Sequence, residues 1–404
     1  MMAEPVPSPR GVVAHRLSIA WHRHGTAIMA AAVVAMVIAA AWRIGNELPR
    51  LLFDPDGAFD LRLRHHEVNR WFAGHEVYGD VERGDYPPAS YAILWPLVGW
   101  LSLGAARMLW GVTALAALAG LALAAIRGSG ARTRLQVLLA GLLPFSTYAS
   151  AATLGMGQAA AHVLVLLVAG VLVLDRAGGR LPGDVAASAL LLPALVKPTL
   201  SVPFFWIVAF RPGRLRPIVL VCLGYAGLTL LAIAFQDGPL AFRLGGWLSE
   251  GPQPLHGHTN IHKAMAVLGM ERAMLPVTAA ILLATGWWIF RRRDADVWIL
   301  LGVAALVAQL SVHHRLYDHL LILVPTITLL RLAWGGARPP ALSDPAAGVL
   351  FAIVWFTLHL PPSMIAGPSA LSALVESGQA VAWVACLAFL VRRASRGAPS
   401  EVGR

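Results

Sequence analysis

Apolar runs of membrane-spanning length recur along this chain, and short clusters of arginine separate them. Arg127, Arg132 and Arg134 follow the run from Ala105 to Ile126, and Arg392, Arg393 and Arg396 follow the run from Leu371 to Val391. A helix needs about 20 mostly apolar residues to cross a bilayer core of ~30 Å. Lipid offers no water to an exposed backbone, so such runs are confined to helices or closed barrels. Hydrophobic residues make up 57% of the 404 and charged residues 13%, where a soluble domain carries about a quarter charged. The expected fold is all-α, a polytopic transmembrane helical bundle with room for about 12 spans.

The net charge of +11 does not imply a nucleic-acid partner. The basic residues sit between apolar runs, and in that position they report orientation. Thirty of the 32 are arginine. Arg10, Arg16 and Arg23 place residues 1–25 in the cytoplasm, with a single transmembrane domain over 26–396 and a cytoplasmic tail over 397–404. A cleaved signal peptide is the alternative for the N-terminus, but the run from Thr26 to Trp42 is longer than a usual h-region. The first span then delivers residues 46–104 outside. Pro87 to Leu101 is roughly 21 Å long as a helix, too short to span, and is expected to lie in the outer interface. Lys197-Pro198 interrupts the run from Val185 to Phe210 and is expected to split it into two short spans, a single long helix being the alternative. Cys222 and Cys386 lie far apart inside apolar runs and read as small buried hydrophobes, without a disulfide. Asp175-Arg176-Ala177-Gly178-Gly179-Arg180 looks like a loop of major facilitator transporters, but it follows the fourth span and reads as a positively charged cytoplasmic turn.

The first outer loop is the polar exception. Nine of the 21 acidic residues fall between Glu47 and Asp85, with Arg62, Arg64, His65 and His66 among them. Within it, Leu61, Val68, Trp71 and Phe72 recur at helical spacing from Ala58 to Ala73, which predicts an amphipathic helix on the outer surface. Asp60 and Arg64 are one turn apart on it and read as neighbours. A surface ion pair of a few tenths of a kcal/mol is the ordinary reading of such a pair. Three features point beyond it. The loop is held between spans. Lys197, His256, His258, His262, His313 and His314 fall on the same side. Ionisable groups at span ends are costly unless paired or hydrated, so their clustering marks a site. Histidines in this number also suit zinc, but no acidic–His pair has a regular ligand spacing, so no metal is expected.

Asp60, Gly74, Tyr78 and Tyr86-Pro87-Pro88 together resemble the first outer loop of glycosyltransferase family 87, the polyprenol-phosphate-mannose-dependent mannosyltransferases of GT-C fold. Gly157-Gln158, Lys197-Pro198, Asn260, and His313-His314 with Tyr317-Asp318 follow in the family's order, so the resemblance covers about Phe59 to Pro325. Asn260-Ile261-His262 departs from it, since a polar pair is expected after the Asn, and the last two spans carry no family motif. The resemblance implies a GT-C-like bundle in the inner (plasma) membrane with both termini cytoplasmic. It implies an inverting transferase that takes a hexose or pentose, mannose first, from a polyprenyl-phosphate-sugar co-substrate to a lipid or polysaccharide acceptor, with no cofactor. Asp60 is then the general base, since a hydroxyl is a poor nucleophile until a carboxylate takes its proton. Arg64, Lys197, His313, His314, Gln158, Asn260 and Tyr86 are the candidates to hold the donor's phosphate and sugar.

Two other classes stay open on the residues alone. A transporter or lipid flippase would place ionisable groups near mid-membrane on broken helices. A metal-dependent GT-C oligosaccharyl- or protein O-glycosyltransferase would use paired acids, for which Asp54-Pro55-Asp56 is the candidate, with His256 or His258 as ligand.

Overall fold

The computed structural model describes residues 9–78, 86–211, 213–237, 259–312, 314–336, 344–365 and 369–396, with side chains from residue 25 onward. His313, His256 and His258 lie outside the described residues. The described residues form helices and no strands. In chain order they are α1 (Pro9–Phe53), α2 (Phe59–Phe72), α3 (Pro88–Leu94) continued by a π turn (Trp95–Gly99), α4 (Leu103–Ser129), α5 (Arg134–Ser146), α6 (Tyr148–Met156), α7 (Ala160–Arg176), α8 (Leu181–Ala194), α9 (Pro198–Phe210) and α10 (Arg216–Ile233). There follow α11 (Ile261–Val267), α12 (Met274–Arg291), α13 (Val297–Ser311), a 3-10 stretch (Leu316–Ile322) running into α14 (Leu323–Ala333), α15 (Pro345–Thr357) and α16 (Ala370–Arg396).

Six of these helical segments are long and apolar enough to cross a bilayer, or seven if the bent pair α5–α6 is one span. This is a membrane protein by that measure, but a count of twelve is not reached. Arg134–Ser146 and Tyr148–Met156 meet at an angle of 44° because Thr147 is extended, with ψ 153°, and its hydroxyl caps the second helix through Ser150 N. Four of the expected spans are only 13 to 15 residues long: Leu181–Ala194, Pro198–Phe210, Val297–Ser311 and Pro345–Thr357. Fifteen residues rise about 22 Å, short of the core thickness. Val297–Ser311 is short and sits at the centre, buried on all sides along almost its whole length.

Two expectations about local structure change and one holds. The first helix does not end near Trp42. It continues to Phe53, so the beginning of the acidic loop is two further helical turns, because nothing from Arg43 to Phe53 breaks a helix except Pro49, which it accommodates. The split at Lys197 is present as a break from Leu195 to Lys197, with Pro198 opening the next helix. Cys386 is buried, but Cys222 is exposed on the outer face of α10. An apolar run in a spanning helix has a lipid side, and residue type alone does not say which face a small side chain takes.

What positions the site is the seating of α2. It ends in a Schellman turn, with Gly74 at φ +80° and His75 N–H donating to Arg70 O at 3.0 Å. At the same end Trp71 stacks on Tyr91 with ring centroids 4.9 Å apart and donates from Nε1 to Ala232 O at 2.8 Å, joining α2 to the last turn of α10. At its start Ala58 N–H donates to Gly155 O at 2.9 Å, a carbonyl left over in the last turn of α6. Arg107 of α4 reaches in with two bonds, to Asp54 O at 3.0 Å and Gly57 O at 3.1 Å. Between these ends α2 lies against the turn at Gly157, whose φ is +68° and whose added Cβ would stand 2.6 Å from Leu61 Cβ.

Gly157→Ala is therefore expected to lower the thermal unfolding midpoint of the detergent-solubilised protein. It combines the ~1–2 kcal/mol cost of a left-handed backbone with the ~1–3 kcal/mol cost of overpacking. Gly178→Ala isolates the backbone part, since its φ is +57° with nothing within 4 Å of the added carbon, and should lower the midpoint less. Equal drops would mean that the approach of α2 to this turn is loose.

Candidate functional site

The helix expected on the outer surface buries a charged stripe instead. Asp60, Arg64, Glu67 and Trp71 recur at helical spacing and all four are buried, together with Leu61 and Val68. His66 and Asn69 face out. Burial of three ionisable groups on one stripe costs several kcal/mol per charge unless each is paired, so their partners define the site.

Arg64 is not reserved for Asp60. Its Nη1 pairs with Glu67 Oε2 at 2.5 Å, and its guanidinium lies over the Tyr86 ring at 4.0 Å. Its charge still favours the ionised form of Asp60, but it is shared with Glu67. Asp60 is only 4% exposed. Burial pushes its carboxyl above the ordinary value, and the Gln158 amide, Lys197, Arg64 and Arg315, in that order, pull the other way without cancelling it. An isolated pair on a helix face favours the charged form, but the loss of water on all sides outweighs it here.

A small cavity opens beside Asp60, lined by Asp60, Arg64, Tyr86, Trp110 and Gln158 among others. Its open core is about 10 Å³, the room of about one water or one hydroxyl group. Three of the lining residues carry buried polar atoms without a hydrogen-bond partner: Asp60 Oδ2, Gln158 Oε1 and Trp110 Nε1. Such atoms are costly to leave unsatisfied, and these three belong to residues that line one space. Two accept and one donates. Tyr86 is held by Tyr78, whose hydroxyl donates to Tyr86 O at 2.7 Å.

The remaining candidates divide between this cavity and other duties. Lys197 lies near enough for its charge to act on Asp60, yet its Nζ is bonded to Asp318 Oδ1 at 2.6 Å. His314 is fully buried, with Nε2 on Ala308 O at 2.7 Å and Nδ1 3.5 Å from Asp318 Oδ2. Asn260 caps α11: its Oδ1 accepts from Lys263 N at 3.0 Å, and its Nδ2 donates to Val312 O at 3.2 Å. His262 is bonded to Thr278 Oγ1 at 2.7 Å, and burial together with His314 lowers its pKa. It is not the cation expected. Asp56 is exposed, and Asp54 Oδ1 accepts from Asp56 N at 2.9 Å, so the Asp-Pro-Asp pair is occupied in shaping a turn. Among the described residues no three His, Cys, Asp or Glu side chains gather as a metal site would require.

The sequence reading missed Glu67, Trp110 and Arg315, and gave Asp318 no role. Glu67 was legible as three residues after Arg64 and seven after Asp60, on the same face. Trp110 carried no signal, since an aromatic in a span is ordinary. Comparison with family models, with known proteins and with solved structures finds no match to this chain.

The raised Asp60 carboxyl has a consequence for stability. The folded state binds the Asp60 proton more tightly than the unfolded chain, whose value is near 3.9. Between that pH and the folded value the native state holds more protons, so stability falls as pH rises through this window and levels off above it. Asp60→Asn lacks this loss. Its unfolding midpoint is expected to exceed that of the wild type at neutral pH, with a gap that closes as pH falls toward 4. A gap independent of pH would show that burial does not raise the Asp60 carboxyl.

Proposed function

We propose that this chain is an integral-membrane inverting glycosyltransferase with Asp60 as its general base. The observation that carries the reading is the cavity beside Asp60, where a carboxylate oxygen, an amide oxygen and an indole N–H lack partners around a space the size of one hydroxyl. An acceptor hydroxyl placed there donates to Asp60 Oδ2. The oxygen of that same hydroxyl can accept from Trp110 Nε1, with the Gln158 amide beside it. A carboxyl raised by burial suits this task, because the best general base has a pKa nearer the working pH than an exposed Asp has.

The step balances without a metal. Asp60 takes the hydroxyl proton as the oxygen forms a bond to the anomeric carbon. The bond from that carbon to the donor phosphate oxygen breaks on the opposite face, and its electron pair leaves with polyprenyl phosphate. The growing charge on that phosphate needs fixed cations. Lys197 and Arg64 are each bonded to a carboxylate. The Arg315 side chain makes no ion pair among the described residues, and its charge reaches Asp60. Arg315 is therefore the first candidate to meet the phosphate, with Lys197 and His314 behind it.

The finer parts of this reading follow the family 87 resemblance: a GT-C-like bundle, a polyprenyl-phosphate-mannose donor, a lipid or polysaccharide acceptor, and a site on the extracytoplasmic face of the plasma membrane. Sidedness is tested by cysteine labelling in intact cells. A Cys at position 80 should react with an impermeant reagent, and one at position 130 should not. The reverse pattern removes the extracytoplasmic donor.

The chemistry is tested with membranes and a set of radiolabelled polyprenyl-phosphate sugars. One of them should be consumed, and Asp60→Asn should lower its turnover by about 10² to 10⁴ at unchanged protein level. Arg315→Ala should raise the donor KM, with a fall in kcat to the extent that its contact tightens in the transition state. Full turnover in Asp60→Asn, with loss in Asp54→Asn or Asp56→Asn, would transfer the role of base to the Asp-Pro-Asp turn and favour a metal-dependent relative.

A further inference from the structure

Against Trp110, one of the residues lining the cavity, packs a histidine that the mechanism above does not use. His162 lies in the first turn of α7, four residues after Gln158. Its ring meets the Trp110 indole with centroids 4.7 Å apart and an interplanar angle of 48°. Trp110 is 4% exposed and lines the cavity together with Asp60 and Gln158. One residue thus touches Trp110 and shares a helix start with Gln158.

The hydrogen bonds fix how this ring is held. His162 Nε2 is 3.0 Å from Thr113 Oγ1. Thr113 has one hydroxyl proton, and its own helix takes it: Oγ1 donates to Leu109 O at 3.0 Å and to Trp110 O at 3.2 Å. Toward His162 the hydroxyl can therefore only accept, so Nε2–H donates, and a neutral ring leaves Nδ1 as an acceptor. His162 Nδ1 is buried and has no hydrogen-bond partner among the described residues. The bond from Nε2 returns to α4, three residues on from the indole that the ring touches. Trp110, Thr113 and His162 close a bracket across two helices. The same helices meet closely again at Gly120, two turns after Thr113, where an added Cβ would stand 2.8 Å from Val165 Cγ2 of α7.

An indole needs such a hold. The outer torsion of Trp and of His is broad, without the sharp wells of an aliphatic side chain, so neighbours have to set the ring plane. A phenylalanine at 162 would fill the space without being anchored itself. Orientation matters because a hydrogen bond weakens steeply once its angle falls below ~120°, and the cavity has room for about one hydroxyl. We propose that His162 is a positioning residue for the cavity beside Asp60: held by the Thr113 hydroxyl, its ring sets the plane of the Trp110 indole and thereby where Nε1–H meets the substrate hydroxyl. This rests on the reading of the cavity as the place where Asp60 takes the proton of that hydroxyl.

The first readout needs no substrate and changes no carboxylate or cation. Full-length protein labelled with 5-fluorotryptophan in detergent micelles carries fluorine on each of its 14 tryptophans, and the resonance lost in Trp110→Phe belongs to Trp110. Thr113→Val keeps the size of the side chain and removes the acceptor. It should shift the Trp110 resonance by more than its line width, and Thr113→Ser should leave it in place. His162→Phe should shift it too. The decisive comparison is the double variant. With His162→Phe present, Thr113→Val should add nothing, because the Thr113 effect passes through the His162 ring. A Thr113 that acts only through its own helix would shift the resonance equally in both backgrounds, and that additivity overturns the proposal. So does an unmoved Trp110 resonance in Thr113→Val. Should His162→Phe not fold, His162→Met completes the same cycle.

Turnover separates this proposal from the one on which it rests. With the radiolabelled polyprenyl-phosphate sugar that wild-type membranes consume, Thr113→Val and His162→Phe should each slow transfer by about two- to tenfold, the effect of one neutral hydrogen bond. Neither should slow it further in Trp110→Phe. Unchanged transfer in both single variants, or a further loss in that background, overturns the proposal, since the bracket would then serve something other than the indole. If the resonances behave as stated but Asp60→Asn keeps full turnover, His162 still holds Trp110 and the reading of the cavity is what fails.

Discussion

The closeness of α2 to the turn at Gly155–Gly157 is the constraint on which the rest of the site depends. A helix of 14 residues carrying three ionisable groups on its inner stripe has no reason of its own to leave water. It is seated by backbone and packing instead: Ala58 N–H on Gly155 O at one end, Trp71 on Tyr91 and Ala232 at the other, and the Arg107 guanidinium across the Asp54–Gly57 turn. Gly157 lets the two backbones meet at a distance that any side chain would prevent. Most of these contacts use groups that helix ends leave unsatisfied, so docking α2 satisfies the ends of α6 and α10 at the same time.

Once α2 is seated, electrostatics follows from who has a partner. Glu67 has Arg64, and Asp318 has Lys197. Removing one member of a buried pair costs about 3–5 kcal/mol, so these two are the settled part of the cluster. Asp60 is the exception, with one oxygen unpartnered and a pKa dominated by lost water. Polar groups left in this state are expensive and are tolerated where chemistry uses them. Other acidic groups of the chain are paired as well. Away from Asp60, Asp175 pairs with Arg211, Asp184 with Arg214 and Arg216, and Asp296 with Arg331. There the acidic groups are matched by arginines and read as fasteners between helices.

The breaks in the spans serve the same geometry. α5 and α6 bend at Thr147, and α8 and α9 part at Lys197. Each break frees backbone groups that a straight helix would consume internally. Irregular backbone inside a membrane protein is tolerated only where protein or water satisfies it. Here Ser201 and Leu200 bond the Lys197 carbonyl, and Thr153 bonds Tyr317 O.

The sequence by itself determined the class of this protein and where its polar residues gather. Twenty-residue apolar runs bounded by arginines can be little else than membrane helices, and an acidic loop of that density had to hold something polar. The spacing of Leu61, Val68 and Trp71 located α2 to within a residue, and Lys197-Pro198 located a break, because period and proline act locally. The tertiary structure alone decided which way α2 turned its charges, since that depends on Gly155, Ala232 and Arg107, far away in the chain. It decided that Arg64 belongs to Glu67 and Lys197 to Asp318. One arginine beside two carboxylates, at i−4 and i+3, is an undecided choice in sequence, and Asp318 stands 121 residues from Lys197. It also left Val297–Ser311 at 15 residues, because a helix surrounded by other helices needs no bilayer-matching length. Burial is a property of all the neighbours at once, and burial set the basicity of Asp60.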